Sequence, residues 1–155
     1  NVLDNPISEN FENFISDFIE FDKDYVYSLE KYSNAKKKMQ KFEKAYRYID
    51  EINSELISDI TSLENEMNLI DAEIYGNKSK KDVMEKDNPT ISSRISIALR
   101  GFSGNSYGPT KTQMDSFEIA KKQWERIKNR ILKFIQNVEN KVEVLEIKGS
   151  PKIID

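Results

Sequence analysis

One stretch of sequence decides the fold. Residues 110–148 read TKTQMDSFEIAKKQWERIKNRILKFIQNVENKVEVLEIK, with no Gly or Pro inside. Gly108-Pro109 precedes the stretch and Gly149 follows it, so both ends carry residues that do not continue a helix. Thr110 and Gln113 have the spacing of a capping box. The sequence therefore predicts one helix, roughly 57 Å long at 1.5 Å per residue.

Apolar side chains in this helix recur at two positions of a seven-residue repeat. They are Phe117, Ala120, Trp124, Ile127, Ile131, Phe134, Val138 and Leu145, with Ile135 and Val142 beside them. Other helices must cover such a stripe along its whole length, because exposed apolar surface is unfavourable in water. The pattern therefore predicts a helical bundle.

A second apolar seam keeps one register from Phe11 to Ile74, interrupted only by Ser28 and Asn53. One interpretation is a single continuous helix, which would have to dimerise because the other long helix is too short to cover it. The alternative is a hairpin in which the chain reverses within residues 47–54, where short polar residues that favour caps and turns cluster. The charge pattern favours the hairpin.

Charges of one sign come in blocks. Residues 1–30 carry eight acids and one Lys, residues 31–47 carry seven bases and one Glu, and residues 48–75 carry eight acids and no base. Residues 111–133 carry seven bases and three acids. Blocks of opposite sign can determine which helices pair. We expect the hairpin to lay residues 48–65 against residues 31–47, with opposite charges facing each other.

We therefore predict an all-α protein, an antiparallel three- to four-helix bundle with long, coiled-coil-like helices in a single domain over residues 1–155. The helices are expected at about residues 8–46, 54–75, 90–100 and 110–148. A hairpin supplies the partner helices within one molecule, so a monomer is expected rather than a dimer.

The composition limits the chemistry. The 155 residues include no His and no Cys, which removes the commonest general base and the commonest zinc ligands. Carboxylates at helical spacing, such as Asp59 and Glu66, lie off the seam and belong on solvated faces. There is no phosphate-binding loop, and no Ser lies in a Gly-x-Ser-x-Gly nucleophile elbow between a strand and a helix. The sequence predicts no catalytic residue, no metal site and no cofactor.

Net charge and hydropathy argue against two classes of partner. The formal net charge is only −3, which does not indicate nucleic-acid binding. No apolar run approaches the ~20 residues that span a membrane. The chain begins at Asn1 rather than Met, so we expect a processed form or a piece of a longer protein.

Seven residues form the candidate interaction surface. Lys37, Lys41 and Lys44 belong to the densest basic cluster, which could attract anionic lipid or nucleic acid but which the acidic blocks nearby would neutralise. Phe11 and Phe14 begin the Phe-rich end of the seam; they are interpreted as core, or as a docking surface if the first helix outgrows its partners. The other two, Phe102 and Tyr107, lie in the Gly/Ser-rich loop before the last helix. The expected partner is another domain of the same parent chain or a separate protein.

Short motifs between residues 89 and 120 resemble those of a known group of proteins. They are Pro89-Thr90-Ile91, Arg94, Gly108-Pro109-Thr110, Thr112-Gln113 and Ile119-Ala120. The pattern resembles the helical C-terminal region of large secreted bacterial proteins whose main body is a sortilin-like β-propeller with Asp-box (BNR) repeats, often labelled glycosyl hydrolases. The resemblance implies a secreted or periplasmic accessory domain that packs on the propeller or on a partner. It assigns no catalytic residue to this chain.

The resulting hypothesis is a non-enzymatic helical accessory or interaction domain of a larger exported protein. Two alternatives stay open. A coiled-coil dimer with a structural or adhesive role predicts an elongated dimer in sedimentation. If the chain is instead part of a carbohydrate-active enzyme, the isolated chain is expected to turn over a glycoside.

Overall fold

The structure, a computed structural model, describes residues 6–45, 54–77, 88–102 and 108–147. These residues form α1 (Pro6–Ala45), α2 (Ser54–Tyr75), α3 (Ile91–Leu99) with a 3-10 turn at Arg100–Phe102, and α4 (Lys111–Ile147). No strand occurs within these ranges. The predicted all-α fold class is confirmed, and each predicted helix end lies within about two residues of the observed one.

The helix ends follow the capping chemistry of the sequence. The Thr110 N–H donates to Gln113 Oε1 at 2.8 Å, and the Gln113 N–H donates to Thr110 Oγ1 at 3.3 Å. This is the predicted capping box of α4. Thr90 caps α3 by accepting a hydrogen bond from the Ser93 N–H at 3.1 Å. Gly76, with φ of 93°, ends α2 in the left-handed conformation predicted for a Gly stop.

Helix contacts group the chain into two compact units. The first unit comprises residues 1–26 and 72–127, and the second comprises residues 27–71 and 128–155. α1 and α4 contribute residues to both units.

In the first unit, α1 and α4 run in the same direction. The Phe14 ring lies 5.5 Å from the Phe117 ring, and the Trp124 Nε1–H donates to Asp24 Oδ2 at 2.9 Å, so residue numbers rise together along both helices. The parallel pair is compatible with the predicted antiparallel bundle, since the first and third long helices of an up-down-up arrangement point the same way.

The short helix α3 runs opposite to α4 in the same unit. The Ser116 hydroxyl donates to the Arg94 carbonyl at 3.2 Å, while Gly101 lies against Gln113. A Cβ placed on Gly101 would lie 3.1 Å from Gln113 Oε1, so the 3-10 turn packs directly on the capping box of α4. The glycine allows this close approach.

Aromatic rings fill the core of the first unit. Ring centroids of contacting pairs lie between 4.8 and 6.5 Å apart, in stacked, tilted and edge-to-face arrangements. The rings are Phe14, Phe18, Phe21, Tyr25, Phe102, Phe117 and Trp124. Each such pair contributes about 0.5–1.5 kcal/mol beyond its area of burial. The prediction that the Phe-rich start of the seam is core is confirmed for Phe14, Phe18 and Phe21, all of which are buried.

In the second unit, α2 runs opposite to α4. Glu66 pairs with Arg130 and Asp59 pairs with Lys141, so residue numbers fall along α2 as they rise along α4. α1 and α4 are parallel here also. The Tyr32 ring contacts the Phe134 ring, and further along both helices Lys38 pairs with Glu139.

The chain therefore reverses between α1 and α2. Tyr32 of α1 contacts Met67 and Asp71 of α2, which a continuous helix from Phe11 to Ile74 could not achieve. The predicted hairpin is confirmed, and the interpretation as one long helix is wrong. The predicted reversal at residues 47–54 lies mostly outside the described residues.

The core of the second unit is mainly aliphatic and follows the two predicted seams. Its buried side chains include Ala35, Met39, Leu56, Ile60, Leu63, Ile70, Ile131 and Val138, with Tyr32, Phe42 and Phe134 as the aromatic members. Ser28, which interrupts the first seam, is buried as well. A small hydroxyl is compatible with a core position when its proton can bond the preceding turn of its own helix.

Candidate interaction surface

Four ion pairs connect neighbouring helices of the second unit. Lys36 Nζ lies 2.9 Å from Asp71 Oδ1, Lys38 Nζ lies 3.0 Å from Glu139 Oε1, and Arg130 Nε lies 2.8 Å from Glu66 Oε1. Lys141 also pairs with Asp59. Opposite charges therefore meet across α1, α2 and α4, as the charge blocks predict.

The detailed pairing differs from the sequence prediction. Residues 48–65 were expected to face residues 31–47, but Lys36 pairs with Asp71, and Asp59 pairs with Lys141 of α4. The physical reason is that α2 packs against α4 as well as α1. Its acidic side chains are therefore divided between two basic helices.

Tyr32 joins the core of the second unit to this belt of charges. Its hydroxyl lies 3.0 Å from Asp71 Oδ1 and 3.1 Å from the Met67 carbonyl oxygen, and it shares its proton between them. Lys36 Nζ sits 4.7 Å from the centroid of the Tyr32 ring while it binds the Asp71 carboxylate. The hydroxyl of Tyr32 is thus hydrogen-bonded at the edge of the apolar core.

Other basic side chains of α1 point away from the core. Lys37, Lys41 and Lys44 are exposed, and their spacing places them along one side of the helix. They line a depression of about 530 Å³ whose other described lining residues are Asn34, Lys38 and Gln40. Lys37 and Lys44 form no ion pair with another described residue. We call Lys37, Lys41 and Lys44 the basic face of α1.

The aromatic members of the predicted surface lie elsewhere. Phe14 is only 7% exposed and Phe102 stacks on it at 5.2 Å, so Phe14 offers almost no area to a partner. Phe11 is half-buried, close to Gly108, whose φ of 81° marks the start of the final turn into α4. Tyr107 lies outside the described residues. The structure therefore does not unite the aromatic and basic members of the predicted surface in one patch.

Several exposed apolar residues were not in the predicted surface, Val26 and Tyr27 among them. Val26 and Tyr27 of α1 are 54% and 58% exposed, and Lys31 Nζ lies 4.4 Å from the centroid of the Tyr27 ring. Both lie off the apolar seam. The sequence alone shows them as two apolar residues at positions where a solvated helix face is expected to carry polar ones.

The phenol of Tyr25, in the first unit, has a pKa above its ordinary value. Burial raises the pKa of its phenol; the hydrogen-bonding contact with Ser92, at 3.4 Å between the oxygens, opposes this shift, and the nearby charge of Asp22 adds to it. The hydroxyl stays protonated near neutral pH, as in an ordinary tyrosine. Its environment affects alkaline stability.

Two further properties concern the described ranges alone. No group of three or more His, Cys, Asp or Glu side chains is arranged there to hold a metal ion. None of the helices in those ranges combines the length and the apolar character that crossing a membrane requires.

Exposed ammonium groups at helical spacing are suited to binding carboxylates or phosphates as point charges. No family model matches the chain, and no curated protein or solved structure matches it either.

Proposed function

We propose that this chain is a non-enzymatic helical interaction domain that binds an acidic protein surface through the basic face of α1. The observation that carries this proposal is the unequal treatment of the lysines of α1. Lys36 and Lys38 are held by Asp71 and Glu139 within the chain, whereas Lys37 and Lys44 point outward without an ion pair among the described residues.

The energetics favour a binding role for the outward lysines. Several like charges on one helix face repel one another, which costs a few tenths of a kcal/mol per pair at i,i+4 spacing. Lys37 and Lys41 have that spacing, and Lys44 lies three residues further. An acidic partner would remove this repulsion and would also steer the encounter of the two surfaces.

The proposed setting is a larger exported protein with an Asp-box propeller, in which this domain packs on the propeller or on a separate partner. The motifs between residues 89 and 120 support that setting through their resemblance to such proteins. A complete reading frame with repeated Asp-box strands upstream of Asn1 is the expected finding. A frame with a Met immediately before Asn1 would contradict it.

The binding proposal can be tested with a defined acidic probe. The purified chain is titrated with fluorescently labelled poly-L-glutamate at low ionic strength, and binding is followed by anisotropy. The triple variant Lys37→Glu, Lys41→Glu, Lys44→Glu should lose binding by at least about tenfold, because close ion pairs become repulsive.

A matched control separates the basic face from overall charge. The variant Lys111→Glu, Lys122→Glu, Lys133→Glu changes three exposed lysines of α4 and gives the same net charge. Equal losses in both variants would contradict a specific face. Preferential binding of a DNA duplex over poly-L-glutamate would contradict a protein partner, and turnover of any substrate in a glycan panel would contradict the non-enzymatic assignment.

A further inference from the structure

Two buried polar atoms of the first unit find no hydrogen-bond partner within the described part of the chain. They are Arg94 Nε on α3 and Gln123 Oε1 on α4. Both residues are otherwise partly exposed. Buried donors and acceptors are nearly always bonded, because an unbonded one has lost its water without any replacement. A donor and an acceptor left unbonded in the same unit therefore need an explanation.

The register of α3 and α4 brings these two side chains to the same helix contact. The Ser116 hydroxyl donates to the Arg94 carbonyl at 3.2 Å. Further along α4, the Trp124 ring lies 4.8 Å from the Tyr25 ring between centroids. The Tyr25 hydroxyl in turn lies 3.4 Å from Ser92 Oγ, near the start of α3. The two unbonded atoms therefore belong to neighbouring stretches of the contact between α3 and α4.

The direction of the side chains narrows the remaining distance. Side chains of a helix lean toward its N-terminus, and α3 and α4 run in opposite directions. Arg94 therefore leans along α4 toward Gln123, while Gln123 leans back toward Ser116. Gln123 follows Ser116 by seven residues, which corresponds to two turns of helix or about 10 Å of rise. Two long side chains extend into that interval from its opposite ends.

Both residues lie beside the buried side of their own helix. The residues three before and four after each of them are buried: Ile91 and Ala98 on α3, and Ala120 and Ile127 on α4. Residues at these spacings share one side of a helix. Arg94 also forms no ion pair with another described residue. Its guanidinium therefore lies next to apolar neighbours, where a charge without a partner is unfavourable.

We propose that Arg94 and Gln123 form a binding site for a carboxylate. The Nε–H and one Nη–H of a guanidinium match the two oxygens of a carboxylate, which is planar and carries the opposite charge. Gln123 supplies a third donor when its amide makes half a turn, because that exchanges Oε1 for Nε2. A neutral ligand would bond the Nε–H but would leave the charge of Arg94 unpaired.

Access to the site requires only a change of rotamer. Neither unbonded atom touches solvent, but partly exposed side chains change rotamer within nanoseconds and can uncover the Nε–H. The carboxylate can belong to a free small molecule or to an acidic side chain of a protein, since the chemistry at Arg94 is the same. The inference goes beyond the proposed function, because the basic face belongs to the second unit and shares no residue with this site.

Titration of the isotopically labelled whole chain with sodium acetate, followed by NMR at constant ionic strength, tests the site. The Nε–H resonance of Arg94 is identified by its loss in Arg94→Lys. It should move downfield and saturate at roughly millimolar acetate, because a charge-assisted hydrogen bond replaces an unbonded donor. A resonance that stays in place up to about 100 mM acetate, as it would with water alone as the partner, would overturn the proposal. An equal movement with sodium chloride would also overturn it.

Two further probes distinguish the source of the carboxylate. Both are added to the variant Lys37→Glu, Lys41→Glu, Lys44→Glu, so that the basic face does not concentrate them. Poly-L-glutamate that moves the Arg94 resonance at a lower carboxylate concentration than acetate identifies an acidic protein side chain as the ligand. Otherwise the ligand is a free small carboxylate, and either result supports the site. Tighter binding of inorganic phosphate than of both would overturn a carboxylate site.

The geometry of the guanidinium is tested by Arg94→Lys. This variant keeps the charge but loses the planar fork, so acetate binding should weaken at least about tenfold. The side-chain amide resonances of Gln123 report the binding in this variant. Arg126→Lys makes the same change at an exposed position of α4 and is the matched control. Equal affinities in the two variants would overturn the role of Arg94.

Gln123→Glu tests whether the two residues share one site, because it supplies a carboxylate from the chain itself. It should abolish the effect of acetate on the Arg94 resonance and raise the midpoint of urea denaturation, and the rise should vanish in an Arg94→Gln background. Gln136→Glu, at an exposed position of α4, should do neither. Circular dichroism verifies that every variant keeps its helix content. Undiminished acetate binding in Gln123→Glu would overturn the assignment of Gln123 to the site.

Discussion

The two units of this chain share α1 and α4 but are stabilised differently. Rings of Phe14, Phe18, Phe21, Phe117 and Trp124 dominate the first unit, whereas aliphatic side chains fill the second, where ion pairs connect α2 with α1 and α4. Apolar burial is the larger source of stability, because half-exposed ion pairs contribute little in water. The difference shows that charges in the second unit mainly select which helices pair.

The largest expected effect is on the aromatic core. Phe117→Ala removes a ring that contacts Phe14, Phe18 and Phe21, and it should lower the free energy of unfolding by about 3–5 kcal/mol. Urea denaturation followed by circular dichroism measures the loss. The exposed variant Ile119→Ala is the control and should cost much less. A loss under about 1 kcal/mol for Phe117→Ala would show that these rings do not dominate the first unit.

The capping box of α4 should have the next largest effect. Thr110→Ala removes the oxygen that accepts the Gln113 N–H and should lower the free energy of unfolding by about 1 kcal/mol. Thr112→Ala, two residues further and exposed, is the matched control. Chemical denaturation of both variants compares them. Equal stability of the two would mean that α4 begins without help from this cap.

The ion pairs of the second unit should contribute less. Asp71→Ala removes the partner of Lys36 and one acceptor of Tyr32, but the two charged side chains are 25% and 34% exposed. Solvent screening therefore limits the loss to about 0.5–1 kcal/mol. The loss should shrink in about 1 M salt. A loss as large as that of Phe117→Ala would show that ion pairs stabilise the second unit as strongly as aromatic rings stabilise the first.

The smallest effect at neutral pH is expected for Tyr25→Phe. Burial raises the pKa of this phenol, so the unfolded chain releases the proton first as the pH rises. The stability that comes from burying the neutral phenol is therefore complete below about pH 10 and is lost as the pH rises through the folded-state pKa. Unfolding experiments between about pH 8 and pH 11 should show a shallower alkaline decline in the variant. Identical slopes would contradict a raised pKa.

Helix positions were predictable because their signals are local. The capping box at Thr110 and the Gly stop at Gly76 each act within one turn, and the seven-residue seams mark the buried side of each helix without reference to any other. The helix ends agree closely for that reason. The candidate site was harder to predict, because Lys36 and Lys37 are adjacent residues of the same type and only Lys36 pairs with an acid in the described structure.

The amino-acid sequence by itself determined the all-α class, the helix limits and the buried side of α1, because each depends on residues within a few turns of one another. The tertiary structure decided that the first seam folds back, that Phe102 stacks on Phe14, and which lysines are paired. Those outcomes depend on contacts between residues far apart in the chain. For Lys38 and Glu139 the partner lies on another helix, and no local pattern specifies such a distance.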